Sequence, residues 1–218
     1  MMNEKTGVVF SIAADNRAVT SCTISKEIYS DNGSYISYYS LAEKTDISAE
    51  LYSYHKLLIM NSGSMEAITG DTETSLEENE CMITPLDIPV GVAAEREAIY
   101  TEIGLRRGTK MNNTLKAGEV FKLSELVPYQ DGKIVNMDIA HNDKMKFVVM
   151  AFDTETALAE HAAPGEALIF ALDGEGVIGY EGKEHTINAG ENFKFAKNGK
   201  HYVKAAGKFK MALLMTLE

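Results

Sequence analysis

Two cysteines and five histidines are the side chains of this 218-residue chain best suited to nucleophilic or acid–base chemistry. Neither Cys22 nor Cys81 has a histidine near it in the sequence that could activate its thiol. No Gly-x-Ser-x-Gly segment of the kind that presents a serine nucleophile occurs either. Acyl transfer is therefore not indicated, and both cysteines are expected to be buried, small apolar residues with reduced thiols.

A glycine-rich run, Gly174-Glu175-Gly176-Val177-Ile178-Gly179, matches the spacing of dinucleotide-binding loops. Such loops need a helix directly after them, because the pyrophosphate binds the free N–H groups of the helix N-terminus. Here the sequence predicts a β-hairpin instead, turning near Glu181-Gly182-Lys183. The run is therefore predicted to be part of a strand-to-strand connection and not a nucleotide site.

The elements that must position any site are strands, and they are repeated along the chain. The sequence aligns with itself at an offset of 111 residues, so that Gly63 falls on Gly174 and Tyr35–Leu41 on Lys146–Phe152. Short apolar and β-branched runs between Gly, Asn and Asp turns predict strands, and long helical periodicity is missing. Two copies of about 110 residues suit two small jelly rolls. The predicted fold is all-β with two tandem barrels, at residues 1–107 and 108–218, joined by a segment from about Glu102 to Met111.

Charge and apolar runs exclude several classes of partner. The formal net charge is −11, which disfavours nucleic acid and anionic membrane surfaces because both require clustered cations. The longest apolar run, Ala167–Leu172, fits one strand and is far shorter than the roughly 20 residues of a membrane span. No targeting segment is recognised at the N-terminus, so a cytoplasmic protein is expected.

Two segments of the second copy resemble a known family. Residues 160–176 read EHAAPGEALIFALDGEG, and residues 187–201 read INAGENFKFAKNGKH. The first resembles the first motif of the cupin superfamily, in the subgroup with the pattern H-x-A-P-G-[DE]-A-L, and the second resembles the second cupin motif. The spacing from Gly190 to His201 fits the family, although Ala196 and Asn198 replace its usual Pro and Gly. The resemblance covers about residues 112–218 and implies a bicupin, with two RmlC-like jelly-roll barrels.

The resemblance also implies where a metal would bind. Cupin motifs supply three histidines and one glutamate to a divalent metal, and His161 and His201 occupy two of these positions. Ala163 and Ala167 occupy the other two and cannot bind metal. Glu166 comes one residue early and faces away from the Ala167 side unless the backbone there is irregular, since side chains alternate along a strand. His161, His201 and, as a weaker third, Glu166 are the predicted ligand-binding residues; a metal bound there would be Zn, Fe, Mn or Ni.

The first copy has lost more of this pattern. At the same offset the four ligand positions and the position of Glu166 are taken by Glu50, Tyr52, Lys56, Val90 and His55. Such a set does not suit a transition metal. The structural interpretations are an ion pair between Glu50 and Lys56 or a surface position for His55, and this degenerate copy is predicted to serve as a scaffold or an interface.

Three functions stay open from the sequence. The first is binding of a small-molecule ligand in the mouth of the C-terminal barrel, around His161 and His201. The second is a metal-dependent isomerase or dioxygenase, in which the metal acts as a Lewis acid and Glu166 as a ligand or general base; the two alanines count against it. The third is a structural or regulatory interaction module. A homodimer would cover the edge strands, unless the duplication itself replaces a partner.

Overall fold

The computed structural model describes residues 1–31 and 33–217, and almost all of its elements are strands. In chain order they are β1 (Val9–Phe10), β2 (Thr23–Asp31), β3 (Ser34–Leu41), β4 (Thr45–Leu51), β5 (His55–Thr69), β6 (Thr72–Glu77), β7 (Glu80–Ile83), β8 (Pro89–Ala94), β9 (Ala98–Leu105), β10 (Lys110–Met111), β11 (Val120–Lys122), β12 (Ile134–His141), β13 (Met145–Phe152), β14 (Ala157–Ala162), β15 (Ala167–Tyr180), β16 (Lys183–Asn188), β17 (Asn192–Phe195) and β18 (Lys200–Thr216). A short helix α1 (Ile12–Asp15) and a 3-10 turn (Leu123–Glu125) follow β1 and β11. The predicted all-β class is confirmed. Within the described residues no helix has the length and apolarity to span a bilayer.

The chain divides into two compact units, and each is a jelly-roll barrel. The C-terminal barrel contains Met1–Ser11, Lys110–Asn112 and the chain from Leu123 onward; the N-terminal barrel contains Ile12–Thr109 and Asn113–Lys122. The described residues of each unit form one nine-stranded sheet. Each unit also includes a short segment from the other half of the chain. Strand β1 pairs with β17 in the C-terminal barrel, and β11 pairs with β7 in the N-terminal barrel. The division into domains at residues 1–107 and 108–218 stays a prediction.

The duplication determines the register of the strands. β3 and β13 have the same length and lie 111 residues apart, and so do β6 and β16. The ladder pairs repeat as well: Leu57 pairs with Ile103, and Leu168 pairs with Leu214. The gap-free repeat predicted from the sequence is confirmed by these bounds and pairs, since a constant offset preserves which face of each strand is buried.

The core of each barrel is built from alternate residues of its strands, since side chains alternate between the two faces. In the C-terminal barrel the interior cluster is Val148, Met150, Phe152, Ala167, Ile169, Ala171, Ile178, Ile187, Phe193, Phe195, Val203, Ala205, Phe209 and Met211. In the N-terminal barrel it is Leu41, Leu58, Met60, Met65, Ala67, Leu76, Met82, Val92, Ala94, Ala98 and Tyr100. These clusters show which face of each strand points into the barrel, including strands that are apolar on both faces.

Two expectations about individual segments are wrong. The segment predicted to join the copies begins too early, because β9 continues to Leu105 and holds Glu102 as a buried residue. The Glu102 carboxylate is paired with the buried ammonium of Lys56. The sequence alone does not show that these two residues are partners. Cys81 is buried as expected, but Cys22 is exposed, because it lies in the turn before β2.

Candidate functional site

His161 and His201 lie side by side in the C-terminal barrel. Strand β14 runs antiparallel to β18, and His161 is the ladder partner of His201. The centroids of the two imidazole rings are 4.3 Å apart. His161 is exposed, whereas His201 retains only 4% of its accessible surface. The pair therefore consists of one exposed and one buried imidazole ring.

Both imidazoles have the same tautomer, because each is held by the backbone of its own strand. Nδ1 of His161 lies 2.9 Å from the carbonyl oxygen of Ala159, and Nδ1 of His201 lies 2.8 Å from that of Gly199. A carbonyl oxygen only accepts hydrogen bonds, so Nδ1 must carry the proton in each neutral ring. The lone pair of each ring is then on Nε2, the arrangement typical of histidines that bind metals or accept ligand protons.

Aromatic rings form the wall behind His201. Its imidazole stacks on Phe195 with the centroids 3.9 Å apart and the planes 18° from parallel. The ring of Tyr180 lies 5.5 Å from that of Phe195, and Tyr180 is the ladder partner of His201 on β15. A side chain at Gly199 would lie 2.7 Å from the Tyr180 ring, so this glycine allows the close approach. Tyr180 was missed by sequence reasoning, and its only signal is its place at the end of an apolar strand.

The surroundings of His201 lower its pKa. Burial has the largest effect because it penalises the charged imidazolium, and the neighbouring His161 lowers the pKa further; the hydrogen bond to Gly199 acts in the opposite direction. His201 is therefore neutral at pH 7, and its Nε2 is an acceptor.

The structure does not bring Glu166 to the histidine pair. Its carboxylate forms a buried ion pair with Lys194, with Nζ and Oε1 2.7 Å apart, and accepts a hydrogen bond from the backbone N–H of Met2. Lys194 in turn donates to the Met2 carbonyl oxygen at 2.5 Å. Ala167 belongs to the barrel interior, so Glu166 lies on the opposite face, as alternation along the strand requires. Glu166 thus binds the N-terminal segment of the chain.

The donor set of this site falls short of a metal centre. Catalytic zinc sites, for example, have three protein ligands, whereas His161 and His201 supply two and Ala163 and Ala167 supply none. In the part of the chain that the structure describes, no three His, Cys, Asp or Glu side chains are grouped to hold a metal ion. The residues present do not fit a catalytic transition-metal centre, so no reaction step is derived from one.

The equivalent positions of the N-terminal barrel have different partners from those expected. Glu50 and Val90 occupy the ladder pair that corresponds to the two histidines. The ion pair of Glu50 with Lys56 is not formed: Glu50 accepts a hydrogen bond from the Tyr52 hydroxyl at 2.7 Å. His55 is half-buried, with Nδ1 2.7 Å from the carbonyl oxygen of Thr84.

Comparisons with known proteins agree with this fold. Residues 148–217 match the family model described as "Cupin domain". The structure resembles a Cupin 2 conserved barrel domain protein from Leptotrichia buccalis, at 25% identity over 99% of each chain with a TM-score of 0.87. It also resembles AerE from Microcystis aeruginosa, at 12% identity over 97% of this chain and 98% of that one, with a TM-score of 0.57.

A more distant likeness is to salicylate 1,2-dioxygenase from Pseudoaminobacter salicylatoxidans with gentisate, at 8% identity over 84% of this chain and 68% of that one, with a TM-score of 0.61. Likenesses at 8% and 12% identity show the fold alone. No curated protein matches the chain. Residues 148–217 thus match the cupin domain, and the resemblance to the cupin superfamily that the sequence motifs predict is confirmed.

Proposed function

We propose that this protein binds a small polar metabolite at the paired imidazoles of His161 and His201. One observation supports the proposal above all: both rings are fixed in the same tautomer by their own strands, which leaves Nε2 of each ring for a ligand. Two acceptors so close together, one exposed and one buried, suit a molecule that enters from solvent and is held by its hydroxyl or N–H groups.

The chemistry of the wall narrows the class of ligand. Tyr180 is half-buried and offers part of its ring near His201, whereas Phe195 is fully buried behind the imidazole. A ring or short carbon skeleton can pack against Tyr180 while its hydroxyl donates to a neutral imidazole. A hydroxylated, partly apolar metabolite is therefore the proposed ligand. Gentisate, which is present in the structure of the salicylate 1,2-dioxygenase described above, and salicylate are the first probes.

Ligand-dependent thermal stability tests the proposal, because a ligand that binds only the native state raises its stability with concentration. A panel of hydroxylated metabolites, including gentisate and salicylate, is expected to contain compounds that raise the Tm. The shift should fall in His161→Ala and vanish in His201→Ala. His141→Ala is the matched control, because His141 is exposed at the end of β12, outside the pair.

Two outcomes would contradict the proposal. A Tm shift that is equal in all three variants would place the ligand elsewhere. If no compound raises the Tm, the interaction-module interpretation gains support instead. Metal analysis of untagged protein belongs in the same series: stoichiometric metal lost on substitution of either histidine would reopen the enzyme interpretation.

A further inference from the structure

A buried charged pair lies in the interior of the N-terminal barrel, away from the histidine site. Lys56 and Glu102 retain only 7% and 4% of their accessible surface. The ammonium nitrogen of Lys56 is 3.2 Å from Oε1 of Glu102. The same oxygen accepts a hydrogen bond of 2.5 Å from the hydroxyl of Tyr35. An ammonium and a carboxylate are therefore both held in fixed positions inside the barrel.

Tyrosine rings surround this pair. The ammonium of Lys56 lies 3.5 Å from the centroid of the Tyr52 ring, a cation–π contact. Tyr39 and Tyr100 are stacked 4.9 Å apart and nearly parallel. Burial raises the pKa of Tyr39 to about 12 and also raises the pKa of Tyr100, so these phenols stay neutral at pH 7. A cavity of about 40 Å³ opens among these groups, lined by Tyr39, Ile47, Tyr52, Lys56, Leu58, Val90, Gly91, Val92, Tyr100 and Glu102.

The other barrel shows that the fold does not need these polar groups. At the offset of 111 residues the equivalents of Lys56, Glu102, Tyr39 and Tyr100 are Ala167, Leu213, Met150 and Met211. All four are buried or partly buried apolar residues packed into the C-terminal core. A buried ion pair seldom stabilises a protein more than well-packed apolar residues of similar volume. The pair in the N-terminal barrel therefore calls for a reason other than folding.

We infer that the N-terminal barrel is a second binding site, and that its ligand is a small zwitterion carrying one carboxylate and one ammonium group, with glycine as the simplest example. The ligand carboxylate pairs with the Lys56 ammonium. The ligand ammonium pairs with Glu102 beside the tyrosine rings.

Charge balance favours a zwitterion over a simple acid or amine. Lys56 and Glu102 neutralise each other, so a ligand with a single charge would bring an uncompensated charge into a buried cavity, at a large desolvation cost. A zwitterion adds no net charge and satisfies both partners. The small cavity leaves little room beyond the two charged groups, which favours a ligand no larger than glycine.

Tyrosine fluorescence gives a direct test, because the chain has ten tyrosines and no tryptophan. Titration of the full chain with glycine is expected to change the emission with saturation. Acetate and methylammonium each carry one of the two charges, and each is expected to bind at least about tenfold more weakly than glycine. Equal responses to acetate and glycine would overturn the inference, and so would the absence of any response to glycine.

A double variant, in which Lys56 and Glu102 are replaced by their equivalents in the other barrel, tests whether glycine binds at this pair. Lys56→Ala with Glu102→Leu introduces the Ala167 and Leu213 equivalents, and the glycine response should be lost. His161→Ala is the matched control and should keep it, so that failure of this inference is distinguishable from failure of the histidine site. A glycine response that survives in the double variant contradicts the inference. If far-UV circular dichroism shows that the double variant is unfolded, Glu102→Gln serves instead, with the same expected loss.

Discussion

The two barrels share equivalent central strands in the same register, yet their interiors differ in chemistry. The C-terminal interior is apolar and ends at a pair of imidazoles. The N-terminal interior holds an ammonium, a carboxylate and several phenol rings at positions where the other barrel has Ala167, Leu213 and Met211. Alternation of side chains and conserved turn lengths are enough to define the barrel. The residues at a few inward positions can then change without altering the fold.

Each barrel also has one buried Lys–Glu pair, and the two pairs have different surroundings. Lys194 and Glu166 lie on the face opposite to the apolar interior and hold the backbone of Met2. Lys56 and Glu102 face the interior and line a cavity. The first pair binds the N-terminal backbone of the chain itself, whereas the second is the pair to which we assign a ligand.

The largest expected effect concerns the structural pair. Lys194→Met leaves the Glu166 carboxylate buried without its cation and should lower the free energy of unfolding by about 3–5 kcal/mol. Urea denaturation followed by circular dichroism measures the change. The exposed Lys183→Met is the matched control and should change stability by less than about 0.5 kcal/mol. A loss below about 1 kcal/mol for Lys194→Met would mean that the pair is solvated and that the contrast with Lys56 is weaker than described.

The second prediction concerns the interior pair, Lys56 and Glu102. Lys56→Ala combined with Glu102→Leu removes both charges together and introduces the residues that pack well in the other barrel. The free energy of unfolding should lie about 1–3 kcal/mol above that of Lys56→Ala alone, because no charge is left buried without its partner. Lys56→Ala alone should be destabilising, because Glu102 then loses its cation. A double variant less stable than this single variant would show that the N-terminal barrel depends on the pair for folding.

The fold and half of the candidate site could be predicted from the sequence. The constant offset and the alternating runs predict both barrels, and the cupin motifs place His161 and His201 together. Alternation also indicates that Glu166 faces away from the barrel interior. These inferences succeed because they depend on local spacing, which the chain states directly.

The interior of the N-terminal barrel could not be predicted in the same way. Lys56 and Glu102 are distant in sequence, and a charged residue within an apolar strand gives no sign of its partner. Glu102 was therefore assigned to a linker, although it lies within β9. Only the ladder between β5 and β9, in which Leu58 pairs with Glu102, brings its strand next to that of Lys56.

The pH dependence of stability should differ with the residue at position 201. Burial lowers the pKa of His201 in the folded state, whereas the pKa of a histidine in the unfolded chain is about 6.5. Its contribution to stability is therefore fully present above that pH and is lost as the pH falls toward the folded-state pKa, because the unfolded chain takes up the proton first. His201→Val introduces the residue of the N-terminal barrel, Val90, and should flatten the pH dependence below neutrality. Urea denaturation at several pH values between about 5 and 7.5 measures it, and an unchanged slope would contradict the assignment.

The smallest expected effect is a change in the pKa of His201 that measures its electrostatic coupling to His161. His161 lowers the pKa of His201 through the repulsion of two positive charges, so His161→Ala should raise that pKa, although burial continues to hold it below its ordinary value. His161→Glu introduces the residue of the N-terminal barrel, Glu50, and should raise the pKa further, because a carboxylate stabilises the imidazolium. An NMR titration of the His201 ring protons measures both changes. A pKa that stays the same in both variants would mean that the rings do not interact electrostatically, and the two histidines would then have to bind a ligand independently rather than as a pair.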